Sequence, residues 1–159
     1  MFSVLNYFWY YTKLYFKKQG SSQWQSGYPN SETIYNDFLK KQGYVLVNNN
    51  EIIGYAALVL EDDPNYKVID GAWLSNKEYG VMHRCCIRNS CKGNGYIHDF
   101  FEELEKLCKK TNKASMRIDT HELNKSMIRA IQKENYTYTG IVIVGDGTKR
   151  NAYEKLICE

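Results

Sequence analysis

The stretch HRCCIRNSCKGNGYIHDFF, His83 to Phe101, joins a sulfur-rich apolar run, a basic loop with two glycines and the start of a periodic segment. The run YGVMHRCCI, which ends at Ile87, is apolar and β-branched enough to predict a buried strand. From Tyr96 onward, apolar residues recur at spacings of three and four with charged residues between them. That period predicts an amphipathic helix of about four turns.

A strand, a glycine loop and a helix N-terminus in succession are typical of an anion site. Free N–H groups of the first helical turn point outward, and the helix dipole adds partial positive charge. Gly93 and Gly95 let the main chain approach a phosphate closely, and Lys92 adds a full charge. A loop that only leads into a helix would also explain two glycines. The Walker ending and the full dinucleotide fingerprint are missing, so the sequence points to neither of those ligand classes.

A metal centre is the main alternative, because the stretch contains five residues of ligand type: His83, Cys85, Cys86, Cys91 and His98. Structural zinc sites favour two Cys-x-x-Cys-like pairs, and that spacing does not occur here. Adjacent cysteines on a strand point to opposite faces, so Cys85 and Cys86 cannot easily share an ion. We therefore expect small buried thiols and no metal.

Composition indicates one globular domain, residues 1–159. Of the chain, 43% is hydrophobic and 25% charged, which is ordinary for a soluble protein. A net charge of +3 is weaker than a dedicated nucleic-acid binder normally carries. Five cysteines without a regular disulfide spacing, and no visible secretory signal, predict reduced thiols and a cytoplasmic location.

The N-terminal run MFSVLNYFWYYTKLYFKK is rich in aromatic residues and could be mistaken for a membrane segment. Polar residues interrupt it, and it is shorter than the roughly 20 apolar residues that a spanning helix needs. The sequence predicts instead an amphipathic helix that ends at Gly20 and packs on the core.

Further elements extend outward from the central stretch in the order α-α-β-β-β-α-β-α-β-β, a mixed α/β fold. They are a helix from Asn30 or Ser31 to Gly43, a hairpin around Asn48, Asn49 and Asn50, a turn at Asp70-Gly71, a strand at 114–121, a helix at 124–135, and a hairpin of strands 136–144 and 150–157.

The motif KGNGYI, residues 92–97, resembles the Arg/Gln-x-x-Gly-x-Gly/Ala signature of the Gcn5-related N-acetyltransferases, the GNAT superfamily, and in particular a bacterial subgroup of it. The segment RIDTHELNKSMIRAIQKENY is similar to the family's next strand and helix, with Asn124 at its CoA-contacting asparagine. The closing strands and the loop QWQSGYPN match as well, so the resemblance covers nearly the whole chain.

The resemblance implies a mostly antiparallel mixed sheet with a splayed parallel pair of central strands, flanked by helices. Three departures accompany it. Lys92 replaces Arg or Gln, and Ile97 stands where Gly or Ala is usual. The chain also begins near the family's first helix, so the first edge strand is missing or rudimentary, with Phe2 to Leu5 as its only source.

The resemblance further implies that acetyl-CoA is the co-substrate and lies across the splay. Its pantetheine would bond to the strand backbone, and its pyrophosphate would bind the glycine loop. An N–H near Cys86 would polarise the thioester carbonyl for direct attack by an amine, without an acyl-enzyme. The cofactor-binding residues implied are Cys85, Cys86, Ile87, Lys92, Gly93, Asn94, Gly95, Tyr96 and Asn124.

Residues for proton transfer are harder to identify from sequence. His83 and His121 are candidate bases, although a histidine at a strand end more often simply faces water. The family's proton-donating tyrosine falls at Ile131, which suits core packing, so water, Tyr136, Tyr138 or His121 would protonate the CoA sulfur. Three aromatic residues in loops are candidates for substrate binding: Trp24, Tyr28 and Trp73. Aromatic residues in loops also often only cap the core.

The predicted activity is an N-acetyltransferase that acts on a small-molecule or peptide amine. A homodimer is one possible assembly, and no nucleic-acid or membrane partner is expected. The alternative function is a CoA-binding sensor or partner module without catalysis. A basic aromatic RNA binder lacks a stacking motif.

Overall fold

The computed structural model describes residues 2–157, with side chains described from Leu5 onward. Four helices and seven strands make up the fold, with short 3-10 turns at Pro64–Tyr66 and Asn89–Cys91. In chain order the elements are α1 (Phe2–Lys18), α2 (Ser31–Leu39), β1 (Gly43–Asn48), β2 (Glu51–Val59), β3 (Asp70–Gly71), β4 (Tyr79–Ile87), α3 (Tyr96–Lys110), β5 (Ser115–Thr120), α4 (Lys125–Lys133), β6 (Thr137–Ile143) and β7 (Lys149–Leu156).

One mixed sheet has the strand order β1-β2-β4-β5-β7-β6-β3, and β4-β5 is its parallel pair. These two strands pair only where Tyr79–Val81 faces Ser115–Arg117. Beyond those residues β4 stays with β2, and β5 stays with β7. A gap therefore opens in the middle of the sheet, and the predicted splayed pair of central strands is confirmed.

The helices cover both faces of the sheet. Phe100, Phe101 and Leu104 of α3 pack on one face with buried residues of β4, β5 and α4, including Ile131. The apolar residues that recur along α3 are therefore the ones that are buried, as predicted. Ile131 is also buried, as expected for a core residue.

On the opposite face, α1 contributes Leu5, Phe8, Trp9 and Phe16 to a second apolar cluster. Tyrosines on its outer side stay exposed, so α1 is the predicted amphipathic helix. No helix within residues 2–157 is long and apolar enough to cross a membrane.

The β1–β2 hairpin turns at Asn49 and Asn50, whose φ angles of 48° and 62° suit a two-residue turn of the type that asparagine favours. The predicted end of α2 at Gly43 is wrong. The helix ends at Leu39, because Lys41 adopts the left-handed region (φ 54°) and Gly43 already belongs to β1. The capping box at its start confirms Asn30 as the N-cap.

One other expectation needs correction. Asp70-Gly71 is not a turn but a two-residue strand that pairs with β6. Its register needs glycine, since a Cβ at Gly71 would lie 2.1 Å from the carbonyl oxygen of Thr139. Of the two expectations for the first edge strand, a remnant at residues 2–5 is absent, because these residues form the first turn of α1.

Candidate active site

The gap between β4 and β5 opens into a cavity of about 510 Å³. Both strands, the loop after α1, the 3-10 turn after β2 and the β6–β7 loop contribute to its wall. The lining residues that enter the argument below are Trp24, Tyr28, Asp63, His83, Arg84, Cys85, Asp119, Asn124, Asp146 and Arg150.

A bulge in β4 shapes this cavity. Tyr55 of β2 pairs with Cys86, whereas Ala57 pairs with His83, so β4 contains one extra residue between these pairs. Arg84 has the left-handed φ of 56° within this bulge. The bulge changes the direction in which the following side chains point, and it coincides with the part of β4 that has no β5 partner.

The Arg84 guanidinium ties the bulge to α2 and to the loop after α1. Its Nε and Nη2 donate to the two carboxylate oxygens of Asp37 at 2.9 and 2.6 Å, and Nη1 donates to the Tyr28 hydroxyl at 2.7 Å. The Tyr55 hydroxyl also donates to Asp37. Sequence reasoning missed Arg84 and Asp37. The one signal in the sequence was the spacing of Asp37, which follows the apolar Ile34 by three residues and therefore lies on the same side of the helix.

His83 lies between two carboxylates on the wall of the cavity. Its Nε2 is 2.6 Å from Oδ2 of Asp63, and its Nδ1 is 4.0 Å from Oδ2 of Asp119. Burial alone would raise the pKa of Asp63, but hydrogen bonds from His83 and Asn65 outweigh it and lower that pKa. An ionised carboxylate has no proton to donate, so Nε2 carries a hydrogen, and in the neutral form of the imidazole Nδ1 presents its lone pair.

The glycine loop between β4 and α3 presents unpaired main-chain donors. Gly93 and Gly95 both have φ of 84°, and Gly95 is the N-cap of α3 without a side-chain cap. None of the N–H groups from Gly93 to Ile97 donates a hydrogen bond within residues 2–157. A Cβ at either glycine would meet open space. The loop therefore fits an anion such as a pyrophosphate.

Neighbouring elements support this loop. The Lys92 ammonium lies 4.4 Å from the centroid of the Tyr15 ring on α1. The Tyr15 hydroxyl in turn lies 3.4 Å from the hydroxyl of Ser126, in the first turn of α4. The Tyr96 hydroxyl accepts a hydrogen bond from Asn48. Four elements thus meet around the loop, and the larger side chain of Ile97 packs against the core beneath it.

The two adjacent cysteines of β4 point to opposite faces, as predicted. Cys85 lines the cavity and packs against the apolar cluster that α3 covers. Cys86 belongs to the apolar cluster on the opposite face, which α1 covers. Burial raises the pKa of both thiols, that of Cys86 to about 12. Since the thiolate is the reactive form, neither thiol is activated. Among residues 2–157, no group of three or more His, Cys, Asp and Glu side chains could hold a metal ion.

Three other predicted residues line the cavity. Trp24 and Tyr28 do so from the loop after α1, and Asn124 does so from the N-terminus of α4. The Asn124 amide is engaged within the protein: its oxygen accepts from Met127 and Ser126, and its nitrogen donates to Thr120.

Trp73, His121 and Tyr138 lie outside the cavity wall. The Trp73 ring is tilted against that of Tyr66, with the ring centroids 5.1 Å apart, and packs on a third apolar cluster. His121 accepts the N–H of Leu123 on its Nδ1, which stabilises the turn after β5. Tyr138 is exposed on β6 against Tyr153. The structure therefore brings His83, Trp24 and Tyr28 together and leaves the other three apart.

Known proteins match both the sequence and this architecture. The model of the Acetyltransferase (GNAT) family matches residues 8–136. An acetyltransferase of the GNAT family from Streptococcus agalactiae is 30% identical, with a TM-score of 0.87 over 98% of this chain and 89% of that chain. Its counterpart from Listeria monocytogenes is 16% identical (TM-score 0.72; 98% and 88% covered), and one from Staphylococcus aureus is 13% identical (0.69; 98% and 92%), so these two show the fold alone. No curated protein is similar enough to count as a match. With its splayed central strands and a family match over most of its length, the chain belongs to the GNAT acetyltransferase family.

Proposed function

We propose that residues 1–159 form one catalytic domain that transfers an acetyl group from acetyl-CoA to a primary amine in a ternary complex. The observation that carries this proposal is the run of unpaired N–H groups from Gly93 to Ile97, beside a sheet gap that contains an oriented imidazole. Family membership supports acyl transfer, and the gap supplies both a cofactor groove and a base.

The cofactor would lie along the unpaired edge of β4. Beyond Val81 this strand lacks a β5 partner, so the backbone of Cys85–Ile87 offers hydrogen-bonding groups to an extended pantetheine chain. Lys92 and the N–H groups of the glycine loop would hold the pyrophosphate. A backbone N–H near Cys86 would polarise the thioester carbonyl.

The acceptor would enter from the side of Trp24 and Tyr28. Nδ1 of His83 takes a proton from the amine, whose nitrogen then attacks the thioester carbonyl. The C–N bond forms, the C–S bond breaks and CoA leaves as a thiolate. The second proton that the nitrogen loses passes to water, and water protonates the thiolate. No step uses Cys85 or Cys86, in agreement with their raised pKa values.

The proposal is tested by thermal unfolding with acetyl-CoA, CoA, ATP and NAD, followed by an assay for free CoA thiol with a panel of amines. Acetyl-CoA should raise the midpoint of unfolding, because a ligand at 100 times its Kd adds about 2.7 kcal/mol of stability. Amines should then increase thiol release. Stabilisation by acetyl-CoA without amine-dependent release would favour a CoA-binding sensor, and no selective stabilisation would contradict both.

A further inference from the structure

Asp119 is the carboxylate of the cavity whose hydrogen-bonding capacity is least used. It lies on β5, its side chain is 11% exposed, and its Oδ2 accepts one hydrogen bond, from the Tyr66 hydroxyl at 2.8 Å. The nearest guanidinium nitrogen, Nε of Arg150, is 4.0 Å from Oδ1, which is too long for a hydrogen bond. No other side-chain hydrogen bond to Asp119 is present within residues 2–157. A nearly buried carboxylate with one such bond attracts a cation.

The position of Asp119 relative to the base suits one particular cation. Oδ2 of Asp119 and Nδ1 of His83 are 4.0 Å apart, and both are acceptors when the imidazole is neutral. An ammonium nitrogen placed about 2.8 Å from each would bridge them at an angle of roughly 90°, within its donor geometry. The amine that His83 deprotonates can therefore bind to Asp119 before it reacts.

The cations that line the cavity already lie beside carboxylates of the protein. Among the described lining residues, the permanent cations are Arg84 and Arg150. Asp37 and Tyr28 occupy all three guanidinium nitrogens of Arg84. Arg150 donates through Nη1 to Thr148 and to the Lys149 carbonyl. Its Nε and Nη2 make no hydrogen bond, but they lie 4.0 and 3.8 Å from the carboxylates of Asp119 and Asp146, which offset its charge.

Negative side chains outnumber positive ones among the residues that line the cavity, counted together with Asp37, the partner of Arg84. Four carboxylates oppose the two guanidiniums and one imidazole; they are Asp37, Asp63, Asp119 and Asp146. With a neutral imidazole the group carries a net negative charge, which attracts cations and repels anions.

We propose that Asp119 binds the ammonium of the acceptor, and that the acceptor is a cationic amine without a carboxylate beside the reacting nitrogen. A peptide N-terminus, an aminoalkyl group or a polyamine meets this requirement, whereas a free α-amino acid does not. This inference rests on the proposed function for its chemistry, but the binding preference can be measured without turnover.

The experiment compares leucinamide with leucine. The two are similar in size, but leucine carries a negatively charged carboxylate where leucinamide has a neutral amide. Binding of each to the full chain is measured by calorimetry without acetyl-CoA, and kcat/KM is measured with it. Leucinamide should bind at least ten-fold more tightly and show a similarly higher kcat/KM, because a hydrogen bond to a charged group contributes about 1.5–3 kcal/mol. Asp119→Asn should reduce both ratios at least five-fold and leave acetyl-CoA affinity unchanged.

Glu122→Gln is the matched control, since Glu122 is exposed, follows β5 and loses the same charge. It should keep the wild-type ratios. Equal binding of leucine and leucinamide, or ratios that Asp119→Asn leaves intact in a folded variant, would overturn the inference. If no amine is acetylated but leucinamide still binds through Asp119, the proposed function fails and the binding inference stands.

Discussion

The pairing of Asp63 with His83 can be tested by Asp63→Asn. The wild-type carboxylate accepts Nε2–H of His83 at 2.6 Å, and its other oxygen accepts two hydrogen bonds from Asn65 at 2.8 Å. In the variant the amide oxygen can keep the bonds to Asn65, which places the amide NH₂ against Nε2. Two donors cannot face each other, so His83 shifts its hydrogen to Nδ1 and loses the lone pair that faces the cavity.

The expected loss in kcat/KM is about 10²- to 10⁴-fold, the usual contribution of a general base. Acetyl-CoA affinity should stay within about two-fold, because Asp63 lies in neither the glycine loop nor β4. The variant should also lose about 1–3 kcal/mol of stability at neutral pH, the range for a buried charge-assisted hydrogen bond.

The pH dependence of that stability loss has a definite sign. The pKa of Asp63 is lower in the folded protein than in the unfolded chain, so its carboxylate stabilises the fold above the unfolded pKa, near 3.9 for a free aspartate. This contribution disappears as pH falls through the folded pKa. The stability difference between wild type and Asp63→Asn should therefore be full at pH 7 and shrink on acidification.

Steady-state thiol release provides the assay, with urea unfolding for stability. Asp62→Asn is the matched control, because Asp62 is the exposed neighbour and loses the same charge. It should retain wild-type kinetics. A folded Asp63→Asn protein with kcat/KM within three-fold of wild type would refute His83 as a base oriented by Asp63.

Three further predictions address the rest of the site. Gly95→Val should abolish acetyl-CoA binding measured by calorimetry, because the valine side chain would occupy the open space of the glycine loop. The left-handed φ of 84° adds strain of about 1–2 kcal/mol for valine. A folded variant with unchanged affinity would disprove the loop assignment. Cys86 should resist iodoacetamide at pH 8 until the protein unfolds, since burial raises its pKa to about 12, and rapid alkylation in peptide mass spectra of native protein would contradict this. Tyr138→Phe and His121→Ala should each keep turnover within about three-fold, because both residues lie outside the cavity, whereas a loss near the 100-fold of a missing general acid would show that water does not protonate the sulfur.

Local patterns predicted the elements that build the site. The apolar run of β4, the period of α3 and the glycines between them are consecutive in sequence, so the sequence alone located the glycine loop and the two elements that it joins. The β1–β2 hairpin was predictable for the same reason, because asparagine tolerates the left-handed conformation at Asn49 and Asn50.

The polar wall of the cavity was not predictable, because its members meet only through the tertiary fold. Asp63 lies at the start of the 3-10 turn after β2 and contacts His83 of β4. Arg84 contacts Asp37 of α2 from a bulge that adds one residue to β4. Neither contact leaves a periodic signal. His121 and Tyr138, candidates for proton transfer by residue type, lie outside the cavity wall, a placement that residue type does not indicate.

The central claim is direct acetyl transfer from acetyl-CoA to an amine in one ternary complex. Its most direct test is an initial-velocity matrix in which acetyl-CoA and the best acceptor of the amine panel are varied together, with the acetylated amine quantified by mass spectrometry. We expect intersecting double-reciprocal lines and one acetylated amine for each CoA released. Parallel lines, which signal an acyl-enzyme intermediate, or CoA release without acetylated amine would contradict the account.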